Sequence, residues 1–132
     1  MMNKITLFGF ALLIFSCSDK ELKKAEDAQT AGREFIRASL DGDFKTARFF
    51  LLKDDDNIYV LNRMETNYNQ MGVEAKRLYR EANIRPVSIT AINDSLTQYT
   101  YFHTSNPTDT VNLSIVKKNG EWLVDAKSVL EK

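Results

Sequence analysis

The spacing of apolar residues changes near the middle of this chain, and that change restricts the folds open to it. Up to Ala82, apolar residues recur every three or four positions, which is the spacing of one face of an α-helix. From Pro86 onward they alternate with polar residues, which is typical of β-strands. Helices followed by strands indicate a single α+β domain.

Two helices are predicted in the first third of the chain. The apolar stripe of the first helix consists of Ala28, Ala31, Gly32, Phe35, Ile36, Ala38 and Leu40. Gly42 should end this helix, because glycine suits the left-handed conformation at a helix C-terminus, and Asp43 can cap a second, short helix. The apolar face of the second helix consists of Phe44, Ala47, Phe50 and Leu51.

A third segment has the clearest helical pattern. Its apolar positions, three or four residues apart over about six turns, are Leu61, Met64, Tyr68, Met71, Ala75, Leu78 and Ala82. A coiled coil and one amphipathic helix lying across a sheet both explain this spacing, and the strands that follow favour the second. Gly72 marks the position of an expected bend or break. Asp54-Asp55-Asp56 is interpreted as a helix N-terminal cap rather than a calcium site, because the ligand spacing of a calcium loop is missing.

Four strands are predicted in the second half. Asn93-Asp94-Ser95 forms the first turn, and residues 105–109 form a longer loop. Asn119-Gly120 predicts a tight hairpin, because both residues tolerate the positive φ of a type I′ turn. Short links between strands imply an antiparallel meander, so we expect N-terminal helices packed on a four-stranded antiparallel sheet.

Trp122 and Asp125 both lie on the last predicted strand. We expect Trp122 to anchor the core beside the hairpin. Asp125 alternates away from Trp122 and Val124, and is therefore expected to be solvated.

The N-terminus resembles a bacterial lipoprotein signal. Lys4 precedes an apolar run over 5–15, which is too short for a membrane span of about 20 residues. As in a lipobox, Cys17 follows the small residue Ser16 and lies three places after the aliphatic Ile14. This resemblance implies cleavage between Ser16 and Cys17 and attachment of lipid to the sulfur of Cys17.

Two acyl chains on one residue hold a protein at a membrane, whereas one chain gives only marginal binding. We therefore expect an exported outer membrane lipoprotein on the periplasmic or cell-surface side, with the lipid on Cys17 as its contact with the membrane. The alternative interpretation makes Cys17 a buried apolar residue of an uncleaved anchor. The predicted divisions are a signal peptide over 1–16, a lipidated cysteine and charged tether over 17–27, and one domain over 28–132.

Charge and residue counts argue against several classes of protein. The chain has 18 basic and 18 acidic residues and no basic block, so nucleic acid is not an expected partner. Its single cysteine excludes an intrachain disulfide, and a single histidine makes a zinc site unexpected. No catalytic triad, phosphate-binding glycine-rich loop or paired-carboxylate motif is present. The sequence therefore predicts a non-enzymatic protein without metal or cofactor.

Candidate ligand-contacting residues are aromatic, because rings with polar tips suit binding pockets. They are Tyr68, Tyr79, Tyr99, Tyr101 and His103. The alternative interpretation places the tyrosines at the edge of the core and on the sheet surface. His103 shares a strand face with Tyr99 and Tyr101. If the opposite face, with Phe102, is the core, His103 is exposed or makes only a structural hydrogen bond.

Two short motifs carry a family resemblance. One is the turn from Asp41 to Ala47, of the form x-Gly-Asp-Phe-x-x-Ala, and the other is the hairpin Asn119-Gly120-Glu121-Trp122-x-Val124. With the order of elements over residues 27–127, they resemble the NTF2-like superfamily, and within it the DUF4878-type domains of bacterial lipoproteins. The resemblance implies a curved antiparallel sheet wrapped around helices as a cone, often with a pocket between sheet and long helix.

Cones of this kind serve as enzymes, binding modules or interaction domains, so the fold alone does not select a function. We expect a lipid-anchored, non-catalytic binding or interaction module of the cell envelope, with a protein or small molecule as its ligand. The alternatives are a small enzyme with a polar pocket and a subunit of an envelope assembly, including a homodimer through the open face of the sheet.

Overall fold

A computed structural model of the chain describes residues 21–130. The predicted signal peptide, Ser16 and Cys17 lie outside the described residues. The helices are α1 (Ala28–Asp41), α2 (Phe44–Phe49), α3 (Asp55–Asn69) and α4 (Val73–Glu81), and the strands are β1 (Ile84–Asn93), β2 (Leu96–His103), β3 (Val111–Lys118) and β4 (Glu121–Asp125). A short 3₁₀ helix, Ala126–Leu130, follows β4. The predicted α+β class is confirmed.

The four strands form one antiparallel sheet in the order β1-β2-β3-β4, so the predicted meander is also confirmed. Between β3 and β4, Asn119 and Gly120 have φ values of 53° and 76°, as the predicted turn requires. Register shifts interrupt the pairing of β1 with β2 between Pro86 and Ser88 and again between Ala91 and Asn93. Such bulges add local twist and bend to a strand.

Helix α1 packs closely on the inner face of the sheet. All seven residues of its predicted apolar stripe are buried. A Cβ atom added to Gly32 would lie 2.6 Å from Cδ1 of Ile115 and 3.1 Å from Cδ2 of Tyr99. The absence of a side chain at Gly32 therefore lets the helix backbone approach the middle of the sheet.

Aspartates begin the first three helices, because a carboxylate oxygen accepts a hydrogen bond from a free backbone N–H of the first turn. Oδ1 of Asp27, Asp43 and Asp54 accepts from the backbone N of the residue three positions later, at 2.7, 3.2 and 2.8 Å respectively. The prediction that Asp54-Asp55-Asp56 begins a helix is confirmed. Gly42 ends α1 with a φ of 75°, also as predicted.

The prediction of one helix from Leu61 to Ala82 is wrong, although the break falls where the sequence marked it. Helix α3 already begins at Asp55 and ends at Asn69, and α4 begins only after Gly72, whose backbone is extended at φ −70° and ψ 167°. Glycine favours this break because its backbone loses the most conformational entropy in a helix. No residue of α4 is fully buried.

Strand β1 lies at an edge of the sheet and is more exposed than its alternating pattern suggested. Val87, Ile89 and Ile92 are 58%, 37% and 55% exposed. The two bulges and Pro86 disturb the edge, which is one way in which natural sheets avoid pairing with other chains. The large apolar residues of β1 therefore do not form a buried face.

Packing begins ahead of residue 28, the predicted start of the domain. Ala25 is only 8% exposed and belongs to the core, and Leu22 is partly buried. The last part of the predicted tether therefore lies against the domain instead of extending into solvent.

Candidate functional site

The face of β2 that carries Tyr99, Tyr101 and His103 is directed toward the helices. Tyr99 is 1% exposed and pairs across the sheet with the buried Leu113. The exposed position of His103 was expected only if the face of β2 that carries Phe102 were the core. The opposite face is the core, and His103 is half-buried. Its Nδ1 atom lies 2.5 Å from the hydroxyl of Ser105, so the structural hydrogen bond that we expected is present.

Four of the five candidate aromatic residues line one cavity of about 240 Å³, here called the His103 cavity. They are Tyr68, Tyr79, Tyr101 and His103. The remaining wall comes from α1, α2, α3 and the connection between α3 and α4, and it includes Phe35, Ser39, Phe44, Met64 and Asn67. Tyr99 does not join them, because its ring lies beneath Gly32 of α1.

A second cavity, of about 340 Å³, adjoins the first and is here called the Arg63 cavity. The two cavities share four wall residues, which are Phe35, Met64, Asn67 and Tyr101. The second cavity also contacts Val111 and Leu113 of β3 and the end of the 3₁₀ helix. Helix α3 packs mainly on α2 and the 3₁₀ helix, and this arrangement leaves both cavities between α3 and the sheet.

Edge-to-face contacts fix the rings that surround the His103 cavity. The ring centres of Tyr79 and His103 are 5.4 Å apart, and those of Phe44 and Tyr68 are 5.8 Å apart. The Tyr68 hydroxyl donates to the carbonyl oxygen of Asp41 at 3.4 Å. Such contacts limit ring rotation, so the wall of the cavity is largely formed before any ligand arrives.

Burial favours the uncharged forms of Tyr101 and His103 in the His103 cavity. It raises the pKa of the Tyr101 hydroxyl well above its usual range, and nearby Tyr99, Asp109 and Tyr79 raise that pKa further. Burial lowers the pKa of His103 below 6.5, and Arg37 lowers it further, while Asp109 opposes the shift. At neutral pH both side chains are therefore uncharged hydrogen-bonding groups.

Arg37 positions the helix that carries Tyr79. Its guanidinium donates to the carbonyl oxygens of Ala82 at 2.7 Å, Tyr79 at 3.1 Å and Arg80 at 3.2 Å, at the C-terminus of α4. All three carbonyls lie in the last turn or at the C-cap of α4, where a helix leaves carbonyl groups without internal partners, although Tyr79 O also accepts from the backbone N of Ala82. The sequence does not indicate this role, because Arg37 lies outside the apolar stripe of α1 and no pattern points to a partner more than 40 residues away.

A second polar group, here called the Asn57 cluster, consists of Asp54, Asn57, Asp125 and Lys127. Asn57 is fully buried, and its Nδ2 atom donates to Asp54 Oδ2 and Asp125 Oδ1, both at 3.1 Å. Its Oδ1 atom accepts from the backbone N of Lys127 at 3.0 Å. The Lys127 ammonium bridges the carboxylates of Asp125 at 3.1 Å and Asp54 at 3.3 Å.

The expectation of a solvated Asp125 is therefore wrong, because its side chain is only 19% exposed and accepts from Asn57. Trp122 is half-buried and packs against the core. The Nζ atom of Lys117, on β3, lies 5.7 Å from the centre of the Trp122 indole ring. The sequence also does not indicate the role of Asn57, since a lone asparagine in a helix gives no sign of burial.

A third depression, of about 370 Å³, lies between residues 21–26 and helices α1 and α2. Charged side chains of both signs line it, including Lys24, Glu34 and Asp43. Such a groove suits water and counterions rather than a ligand held by a preformed apolar wall. The two adjoining cavities are therefore the stronger candidate site.

Among residues 21–130, no group of three or more His, Cys, Asp or Glu side chains is placed to hold a metal ion. Within the same described range, no helix has both the length and the hydropathy that crossing a bilayer requires. No protein-family model, curated protein or solved structure matches the chain.

Proposed function

We propose that this protein is a lipid-anchored, non-catalytic binding module of the bacterial cell envelope. The observation that carries the binding function is the pair of adjoining cavities between α3 and the sheet. Ligand sites are mostly apolar hollows with a few convergent polar groups. The tyrosines, His103, Asn67, Ser39 and Arg63 are polar groups of that kind, and apolar side chains form most of the remaining wall.

Binding fits the chemistry of the site better than catalysis does. A general base at His103 would need an orienting partner, usually a carboxylate, and the Nδ1 atom of His103 pairs instead with the hydroxyl of Ser105. The raised pKa of Tyr101 keeps its proton in place, so this hydroxyl serves as a hydrogen-bond donor. These groups can orient a ligand without exchanging protons with it.

The anchor is supported by the sequence of residues 4–17. An apolar run that ends in Ile14, Ser16 and Cys17 suits a lipoprotein signal, and the resemblance of the following domain to DUF4878-type NTF2-like domains agrees with this assignment. We propose an outer membrane location, with the domain on the periplasmic or cell-surface side.

The anchor is tested by Cys17→Ser in the full chain. We expect the variant to stay unprocessed or to leave the detergent phase, because it lacks the sulfur that would carry lipid. Mass spectrometry of the wild-type mature protein should find a lipid-modified first residue. A normally processed variant that stays in the detergent phase would contradict the proposal.

The binding function is tested by melting the full chain, reconstituted in lipid nanodiscs, with a panel of small aromatic and amphipathic compounds. A compound that binds only the folded state raises the melting temperature. Met64 lines both cavities, so Met64→Trp should remove the shift by filling them. Circular dichroism checks that the variant folds. No shift in the wild type, or the same shift in Met64→Trp, would exclude these cavities as the binding site.

A further inference from the structure

The Arg63 cavity has an apolar wall contributed by several parts of the domain. Phe35 comes from α1, Val60 and Met64 from α3, Leu113 from β3 and Val129 from the 3₁₀ helix. Phe35, Val60 and Leu113 are 3%, 8% and 1% exposed, so they belong to the core that holds the cavity open. Hollows lined in this way hold water poorly and favour hydrocarbon.

One cation lies in this wall. Arg63 is the only side chain charged at neutral pH among the described residues that line either cavity. Its guanidinium carbon lies 5.9 Å from the ring centre of Tyr59, one turn earlier on α3, and its Nη1 atom lies 3.5 Å from the Tyr59 hydroxyl. Stacking on a tyrosine ring holds the guanidinium at the cavity while leaving most of its donors unused.

Three other arginines on the helices are already paired with carboxylates. Arg37 contacts Asp41 at 2.9 Å, Arg48 contacts Glu65 at 3.4 Å, and Arg77 contacts both Glu74 and Glu81. Among residues 21–130, no ion pair includes Arg63. Its planar guanidinium is suited to a carboxylate, which it can bind through two parallel hydrogen bonds.

We propose that the Arg63 cavity binds a single-chain amphiphile with a carboxylate head, such as a medium-chain fatty acid. The chain lies against Val60, Met64 and Leu113, and the carboxylate meets Arg63. This inference rests on the proposed binding function and gives it a ligand class. A volume of about 340 Å³ is at the small end of ligand sites, so one chain fits and two do not.

The test uses the full chain in lipid nanodiscs, with octanoate, decanoate and dodecanoate as probes, and decanol and decyltrimethylammonium as neutral and cationic probes of matched length. Affinity is obtained from the rise in melting temperature with probe concentration. We expect about a three- to four-fold gain per added methylene until the cavity is full. Decanoate should bind about ten-fold more tightly than decanol, because a charged acceptor strengthens the hydrogen bonds to the guanidinium.

Two arginine variants separate the head-group contact from general charge effects. Arg63→Gln should lose the ten-fold preference for decanoate over decanol while keeping its affinity for decanol. Arg85→Gln, on the exposed edge strand and outside both cavities, is the matched control and should behave as the wild type. Both positions are exposed, so both variants should fold.

Each contrary result identifies which proposal fails. Equal binding of decanoate and decanol by the wild type, or equal effects of the two arginine variants, would overturn the carboxylate head and leave the binding function standing. If a probe still raises the melting temperature of Val111→Trp, in which the Arg63 cavity is narrowed, the probe acts through the lipid bilayer. That result would exclude the Arg63 cavity as the ligand site. If no probe acts here and no compound acts in the screen of both cavities, the binding function fails as well.

Discussion

Two groups of polar side chains lie between the helices and the sheet, and they differ in whether their hydrogen-bonding groups are paired within the protein. In the Asn57 cluster, the buried amide, two carboxylates and an ammonium satisfy one another across elements about 70 residues apart. In the His103 cavity, tyrosine and histidine side chains border open volume. The first arrangement ties α3 to β4 and the 3₁₀ helix, and the second leaves groups that a ligand can contact.

The difference follows from what desolvation costs. A buried polar group that loses its partner costs about 1–3 kcal/mol, so a saturated cluster strongly favours one arrangement of its elements. Groups at a cavity can still be reached by water or by a ligand, and the fold gives up some packing to keep that space. Stability should therefore depend on the cluster and binding on the cavities.

The largest effect on stability is expected from Asn57→Ala. It removes three hydrogen bonds and leaves the backbone N of Lys127 without its side-chain acceptor, while Asp125 Oδ1 keeps only the Lys127 ammonium, so we expect a loss of about 3 kcal/mol. Urea unfolding measures the change. Asn69→Ala, at an exposed position near the end of α3, should change stability by less than about 0.5 kcal/mol. A loss below about 1 kcal/mol for Asn57→Ala would contradict the proposed dependence of stability on the Asn57 cluster.

The next effect is expected at Gly42, which lies under a wall residue of the His103 cavity. Alanine here meets two penalties, the positive φ of 75° and overlap of its Cβ with the Tyr68 ring, and should cost about 2–3 kcal/mol. Gly120→Ala is the matched control, because its φ is 76° and nothing lies within 4 Å of an added Cβ. It should cost about 1 kcal/mol, and the difference in urea midpoint isolates the overlap with Tyr68. Equal losses would show that Tyr68 moves aside freely.

A smaller effect separates the two regions by pH. Hydrogen bonding to the Asn57 backbone holds the pKa of Asp54 below 3.8, so its contribution is present above that pH and is lost as pH falls through the folded value. Hydrogen bonding to Asp125 raises the pKa of Lys127 above 10.5, so that contribution is present below 10.5 and is lost as pH rises through the folded value. The contributions of Asp54 and Lys127 should therefore be insensitive to pH between about 4 and 10.

His103 should respond within that window. Burial lowers its pKa below 6.5, so the folded state resists protonation, and its contribution is present above 6.5 and is lost as pH falls through the folded value. Between pH 7.5 and 5, the melting temperature of the wild type should fall more than that of His103→Gln. If the melting temperatures of the two proteins fall equally with pH, protonation of His103 does not contribute to the loss of stability.

The smallest effect is expected from Tyr101→Phe. The hydroxyl belongs to a cavity wall and is costly to desolvate, so its removal should change the free energy of unfolding by less than about 1 kcal/mol. Urea unfolding alongside Asn57→Ala makes the contrast direct, because each variant removes buried polar atoms. A loss as large as that of Asn57→Ala would mean that Tyr101 also has a structural role.

Local signals in the sequence were sufficient for much of the fold. The stripe of α1, the caps at Asp43 and Asp54 and the Asn119-Gly120 turn each depend on neighbours within a few residues, and the structure agrees with all of them. The predicted continuous helix failed, because the same three- and four-residue spacing is compatible with one helix or with two. Gly72 indicated where a break could fall, but a glycine at this position is compatible with either a bend or a full break.

The chemistry of the aromatic residues was sufficient to name them as candidates, but their arrangement in the fold could not be predicted from the sequence. Tyr99 and Tyr101 are two residues apart on one face of β2, yet Tyr99 is sealed under Gly32 and Tyr101 borders both cavities. That distinction depends on where α1 and α3 cross the sheet. Arg63 and Asn57 were missed for the same reason, since neither residue type indicates which distant elements it will meet.

The sequence by itself determined the order of helices and strands and their caps and turns, because these depend on contacts or motifs within a few residues. Only the tertiary structure decided which face of β2 is buried, that Asn57 and Asp125 meet, and that α3 stands away from the sheet. Those outcomes depend on packing between residues far apart in the chain, and the periodicity of a single segment contains no information about its partner.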